Sequence, residues 1–151
     1  MINNYVKTIC GMLGLPMPQV FYNDRALRQE EHARLTPDGR QLYLRKLKTA
    51  SLDQLFAAAA ELRHEWQRKT DERFYFGDYK SREELPLREF SLQPSEIDGN
   101  AFAAVIVSAF FGVEPVFDEL PGAARARIER RCEEIRRNEF PTLGSAADHH
   151  K

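Results

Sequence analysis

Five consecutive residues in the first half of the chain carry most of a metal-site pattern: Ala60-Glu61-Leu62-Arg63-His64. On a helix, two histidines four residues apart lie on one face and bind zinc, and a glutamate directly after the first histidine serves as general base. Here the glutamate and the second histidine are present, but alanine stands where the first histidine would be. The pattern predicts the architecture of a zinc-hydrolase site together with the loss of one ligand.

A second group of polar residues follows, in Glu96-Ile97-Asp98-Gly99-Asn100. In some zinc hydrolases the third ligand is a carboxylate from a later helix. Glu96 and Asn100 share one face of such a helix, whereas Asp98 projects to the opposite side. Glu96 is therefore the predicted ligand, and Asn100, one turn on, is placed to hydrogen-bond a neighbouring ligand.

The segments at 61–67 (Glu-Leu-Arg-His-Glu-Trp-Gln) and 96–103 (Glu-Ile-Asp-Gly-Asn-Ala-Phe-Ala) together resemble the ImmA/IrrE-like metallopeptidases of phage and mobile elements. In that family, which has a minimal-zincin fold, a His-Glu-x-x-His helix precedes a helix bearing Glu-x-x-Ala-Asn-x-Phe-Ala. The resemblance covers about 19–112. It implies that Glu61 is the general base for a zinc-bound water, that His64 and Glu96 are metal ligands, and that Asn100 supports a ligand.

Two positions depart from the family pattern. Gly99 replaces an alanine, which does not affect the chemistry, and Ala60 replaces the first ligand. Because a catalytic zinc needs three protein ligands and a water, two ligands predict weak binding. Starting the motif at His64 does not restore it, since Arg68 then takes the second ligand position and stays protonated.

The leading prediction is a catalytically inactive, zincin-like homologue that carries no cofactor as it stands and acts, if at all, by binding a protein or peptide. One alternative is an active zinc peptidase whose missing ligand comes from His32, Cys10 or Asp98, although Asp98 faces away. Another is a natural peptidase inactivated by substitution at Ala60. A third is a structural or regulatory protein that shares only the architecture.

Hydrophobic periodicity, caps and turn residues predict an α+β fold. The predicted elements are an N-terminal helix ending near Gly14, a strand at 20–22, a hairpin at 33–44, and helices at 51–69, 95–112 and about 120–138. The small sheet with its hairpin should pack on the two central helices, with the first and last helices flanking them. Residues 70–93 are predicted to be an ordered loop and 144–151 a frayed tail. We expect a single domain over 1–151 with a zincin-like core at about 19–112.

The composition excludes several classes of partner. The 151 residues include 22 basic and 23 acidic side chains, so the net charge of -1 does not favour nucleic acid. The longest apolar run, at 101–113, is shorter than the ~20 residues that cross a bilayer, which predicts a buried helix and no membrane partner. The N-terminus lacks a secretion signal, and Cys10 and Cys132 lie far apart, so a reducing cytoplasm fits best.

Three further features have structural interpretations. Arg63 lies on the apolar face of the 51–69 helix, which also includes Leu52, so a structural ion pair or a snorkelling side chain is expected. Arginines and glutamates alternate along the last helix, which predicts ion pairs on a solvated face. Aromatic residues at 66, 74–76 and 79 are expected to pack in the core or loop, with a peptide-binding rim as the minority interpretation.

Overall fold

The structure is a computed structural model that describes residues 1–143, and the predicted frayed tail at 144–151 lies outside the described residues. The described chain contains helices and a three-stranded sheet, which confirms the α+β class. The elements are α1 (Ile2–Leu13), β1 (Gln19–Tyr22), β2 (Ala33–Leu35), β3 (Gln41–Leu44), α2 (Leu52–Phe76), α3 (Leu87–Ser91), α4 (Pro94–Phe111) and α5 (Gly122–Asn138). The chain divides into two compact units, Met1–Trp66 and the chain from Gln67 onward. That they form a single domain stays a prediction.

The first unit contains the sheet, whose strand order is β1-β3-β2. β1 runs parallel to β3, and β2 runs antiparallel to it, so the predicted hairpin is confirmed. Asp38 closes the hairpin turn by accepting hydrogen bonds from the Thr36 hydroxyl and the Arg40 N–H. Successive side chains of a strand point to opposite faces of the sheet. In β3 the alternate side chains Leu42 and Leu44 share one face, and both are completely buried.

The N-terminal helix α1 packs against the start of α2 within this unit. It ends at Gly14, which adopts the left-handed conformation (φ 68°) that favours glycine at a helix C-terminus. The buried Tyr5 hydroxyl donates to the main-chain oxygen of Leu55 at 2.7 Å. Ser51 caps α2, because its hydroxyl accepts the Gln54 N–H at 3.1 Å. Leu52 is 44% exposed, so its predicted place on the buried face is wrong.

The helix α2 extends beyond the predicted end at residue 69. It continues to Phe76 across a non-helical residue, Asp71 (φ -159°, ψ 73°). The Asp71 carboxylate accepts the Phe74 N–H at 3.2 Å, so the same residue that interrupts the helix also caps its last turn. The prediction of a loop over 70–93 is therefore wrong in part, since it contains the end of α2 and all of α3.

The second unit is built on α4 and α5. Pro94 occupies the first turn of α4 and Gly112 ends it at φ 68°, as predicted. Every residue of 101–108 is buried. The apolar stripe of α5, formed by Ala124, Ile128, Cys132 and Ile135, is buried as well. The Cys132 thiol contacts the Ala101 oxygen at 3.5 Å, which joins the two helices.

Candidate functional site

The first half of the predicted site lies on a regular stretch of α2. Ala60, Glu61 and His64 are all half-buried, and they precede the irregular residue Asp71 by more than a turn. Because residues four apart stack on one helical face, the Ala60 methyl group occupies the face that carries the His64 imidazole. A methyl group has no atom that can bind a metal, so of these two positions only His64 carries a candidate metal-ligating side chain.

The sheet supplies a positive charge to the surroundings of the candidate base. The pKa of Arg34, on β2, is raised mainly by its hydrogen bond to Glu31 and also by the negative charge of Glu61. The strand β2 thus contributes a guanidinium to the electrostatic field around Glu61. Sequence periodicity gave no indication of this pair, because β2 and α2 are separated by a turn, a strand and a loop.

The neighbours of His64 in the sequence have structural roles. Arg63 is 0% exposed, and its Cζ lies 3.6 Å from the centroid of the Trp66 ring, a cation–π contact. The snorkelling interpretation of Arg63 is therefore wrong. Glu65 is buried against the hairpin turn, where a Cβ added to Gly39 would lie 3.1 Å from Glu65 Cδ. The hairpin and the motif segment of α2 are therefore in close contact.

Glu96 lies in the first turn of α4, in the second unit. Burial raises the pKa of its carboxyl group to about 7, and a hydrogen bond with Tyr79 opposes that rise. A helix N-terminus also stabilises an anion, so desolvation is the dominant effect here. A carboxyl group that titrates near neutrality is typical of acid–base positions. Asn100 follows one turn later and is half-buried.

Asp98 has a different environment from Glu96, as the helical spacing predicts. Its buried carboxylate accepts hydrogen bonds from Arg131 Nε at 2.9 Å and from Gln67 Nε2 at 2.8 Å. Gln67 also donates to the Ser95 oxygen at 3.1 Å. Because this carboxylate already neutralises Arg131, Asp98 is poorly suited to replace the missing ligand.

Arg131 corrects the prediction that the arginines of α5 lie on a solvated face. Besides Asp98, its Nη2 donates to Glu139 at 3.1 Å. Arg131 follows Ile128 by three residues and precedes Ile135 by four, so it borders the buried stripe. That position on the helical wheel is the feature from which its burial could have been inferred.

A pocket of about 410 Å³ in the second unit borders this ion pair. Its walls include Phe74, Tyr75, Leu92 and Ile97, with Arg127 among the charged lining residues. Phe74 and Tyr75, two of the aromatic residues for which a peptide-binding rim is the minority interpretation, therefore line a concave surface. The sequence did not identify this pocket, because its walls come from three separate segments.

The residues present do not fit a catalytic zinc. Ala60, Glu61 and His64 belong to the first unit and Glu96 and Asn100 to the second, and that the two groups meet stays a prediction. With Ala60 at the first position, the motif offers two protein ligands where three are needed. Within residues 1–143, no group of three or more His, Cys, Asp or Glu side chains is arranged to hold a metal ion.

Comparisons with known protein families, with curated proteins and with solved structures find no match to this chain. No helix between residues 1 and 143 is both long enough and apolar enough to cross a bilayer. The functional interpretation therefore depends on the two motifs and on the elements that carry them.

Proposed function

We propose that the chain is a cytoplasmic, minimal-zincin homologue of phage or mobile-element type that has lost catalysis and acts by binding a protein or peptide. One observation carries the proposal: Ala60 occupies the ligand position on a regular turn of α2, four residues before His64, while Glu61 is retained. A general base without a bound metal has no activated water to deprotonate.

The order and type of the elements support this proposal. A strand, a hairpin, the helix with the degenerate motif and a later helix beginning with Glu96 follow one another as in the ImmA/IrrE-like family. The pKa of Glu96, raised to about 7 by burial, also supports it, because a solvated surface carboxylate would not be shifted in this way.

The energetic argument against zinc binding comes from ligand number. Structural zinc sites with four ligands bind with roughly 10–16 kcal/mol, so one ligand contributes about 3 kcal/mol, or about 100-fold in affinity. The structure also disfavours two of the replacement ligands. Asp98 is engaged by Arg131, and burial raises the pKa of the Cys10 thiol to about 11, which keeps it in the protonated form that binds zinc poorly.

Metal analysis tests the proposal directly. Protein purified without chelator should contain well below one zinc per chain, and zinc titration followed by calorimetry should detect no tight site. His64→Ala is the matched control, since it should leave both results unchanged. Stoichiometric zinc that is lost in His64→Ala would contradict the proposal and favour an active peptidase.

A further inference from the structure

The strand β1 forms one edge of the sheet, because it pairs with β3 alone among the described strands. Its side chains are unusually apolar for an edge: Phe21 is 38% exposed and Tyr22 is 51% exposed. Phe21 stacks on Tyr43 of β3 with ring centroids 5.7 Å apart, so the edge is held in a fixed geometry. Natural edge strands usually carry lysine or a bulge that blocks pairing with another strand, and β1 itself contains neither.

The hydrogen bonds of β1 establish which of its main-chain groups face outward. Gln19 N–H donates to the Arg40 oxygen at 2.8 Å, and Asn23 N–H donates to the Leu44 oxygen at 3.0 Å. Because alternate residues of a strand point their N–H and C=O groups to the same side, those of Val20 and Tyr22 point away from β3. This edge can therefore accept one more strand.

A pocket of about 420 Å³ lies at the carboxyl end of this edge, within the same unit. Tyr22 belongs to both features, since it ends β1 and lines the pocket. Apolar walls come from Ile2 and Leu47, and Gln54 contributes a polar side chain that is 1% exposed. Because Tyr22 lines the pocket, a strand added beside β1 would run close to the pocket and could place one apolar side chain in it.

The described lining of the pocket carries a positive charge. Lys48 is among the lining residues, and none of the lining residues in the described chain is acidic. Lys46 directly precedes Leu47, another lining residue, in the sequence. The nearest acid after β1, Asp24, is not among the lining residues, and its carboxylate accepts the main-chain N–H of Lys46 at 2.8 Å. The surface thus complements an acidic ligand.

We propose that β1 and this pocket bind an extended, acidic peptide segment of a partner protein by strand addition, with an apolar side chain in the pocket and carboxylates near Lys48. Main-chain pairing would supply affinity and the pocket would supply specificity. A second copy of the chain suits the surface less well, because a four-residue edge is short for the ~1,200 Å² that stable dimers bury. The inference deepens the protein-binding part of the proposed function, but it uses neither metal-site motif.

The test uses the full chain and a capped heptapeptide, Asp-Asp-Val-Leu-Val-Asp-Asp, whose order is the same in both directions. In amide-resolved NMR titrations at millimolar peptide, we expect shifts and slower hydrogen exchange at the Val20 and Tyr22 amides. Methylating the two valine nitrogens removes two main-chain donors and should weaken binding about tenfold. An analogue with lysines in place of the aspartates should bind more weakly still.

Two variants locate the contact. Val20→Pro removes an outward N–H but no hydrogen bond to β3, so the sheet should persist while peptide binding is lost. Lys48→Glu should weaken binding several-fold, whereas Lys80→Glu makes the same charge change outside the pocket and should have no effect. Shifts confined to other surfaces, no binding at millimolar peptide, or equal effects of the two lysine variants would overturn the inference.

A failure of the strand-addition proposal can be distinguished from a failure of the proposed function. The peptide titration does not depend on metal, and the zinc measurements do not depend on β1. If the chain binds neither zinc nor the peptide, the strand-addition proposal is contradicted, whereas the proposal of a degenerate metal site is not.

Discussion

Glu96 is the residue whose chemistry departs most from that of a surface carboxylate. It lies where a helix N-terminus stabilises negative charge, yet burial raises its pKa to about 7, against an ordinary value of 4.5. Near neutral pH the carboxyl group is therefore partly protonated and can both donate and accept hydrogen bonds. A group that transfers protons near neutral pH has this property.

The raised pKa of Glu96 predicts how stability depends on pH. The Glu96 carboxyl group ionises near pH 4.5 in the unfolded chain and near pH 7 in the folded chain. Because the folded chain binds this proton more tightly, protonated Glu96 stabilises the fold fully below pH 4.5, and this stabilisation is lost as the pH rises to about 7. The loss should reach up to about 3 kcal/mol. Urea unfolding of the protein and of Glu96→Gln across this range measures it, and a constant difference between the two would contradict the assignment.

At the scale of elements, the contact between the hairpin turn and α2 places a strict demand on Gly39. Its φ of 73° disfavours any side chain, and an added Cβ would lie 3.1 Å from the buried carboxyl carbon of Glu65. A side chain at position 39 would therefore strain the turn and displace the Glu65 carboxyl group.

Substitution of two glycines should have opposite effects on the free energy of unfolding. Gly39→Ala should destabilise by about 2 kcal/mol, from left-handed strain and from the contact with Glu65. Gly11→Ala, in α1 with no atom near the added Cβ, should stabilise by about 0.5–1 kcal/mol. Chemical denaturation of both variants is the measurement, and a neutral Gly39→Ala would show that the turn is not constrained as described.

Asp98 and Arg131 join α4 to α5 through a largely buried ion pair. Arg131→Met should destabilise by roughly 2–4 kcal/mol, because it removes the charged partner of the buried Asp98 carboxylate. The exposed neighbour Arg130→Met is the control and should change stability by under about 0.5 kcal/mol. In a double-mutant cycle, Arg131→Met combined with Asp98→Asn should lower the free energy of unfolding by less than the sum of the two single changes. Strict additivity would contradict a direct pair.

The elements could be predicted from the sequence to different degrees. The hairpin, α4 and the buried stripe of α5 follow from local signals, namely turn residues, Pro94 with Gly112, and apolar spacing. The end of α2 could not be predicted in this way. Asp71 interrupts the helix and caps its continuation. The run of charged residues around Asp71 does not indicate that one residue has both roles.

The candidate site, too, could be predicted from the sequence only in part. The positions of Glu61, His64 and Glu96 follow from motif spacing, and so does the opposite orientation of Asp98. The partners of these residues do not, because Tyr79 and Arg131 come from distant parts of the chain. Tertiary contacts of this kind depend on how helices pack, which periodicity alone does not specify.

At the scale of the whole molecule, each compact unit contains one buried cysteine. Cys10 lies in α1 of the first unit and Cys132 in α5 of the second, and burial raises the pKa of each thiol to about 11. Neither thiol should react with a disulfide reagent at pH 8 until its unit opens. The two cysteines are therefore independent reporters of the two units.

Thiol labelling in urea tests the prediction of a single domain over 1–151. Since α2 includes residues of both units, the loss of one should unravel part of the other, and both thiols should become reactive at one urea midpoint. Mass spectrometry of the labelled peptides resolves the two sites. Clearly separated midpoints would contradict a single cooperative domain.

Restoring the missing ligand tests the central claim most directly. Ala60→His should bind zinc about 100-fold or more tightly than the unmodified chain, because the proposed function implies that it restores the motif's first ligand, four residues before His64. Ala57→His adds the same side chain one turn earlier and should gain little, and Ala60→His combined with His64→Ala should lose the gain. Zinc affinities by calorimetry are the measurement. Tight binding in Ala60→His alone supports a zincin frame with one ligand removed, whereas equal affinities in Ala60→His and the unmodified chain would contradict it.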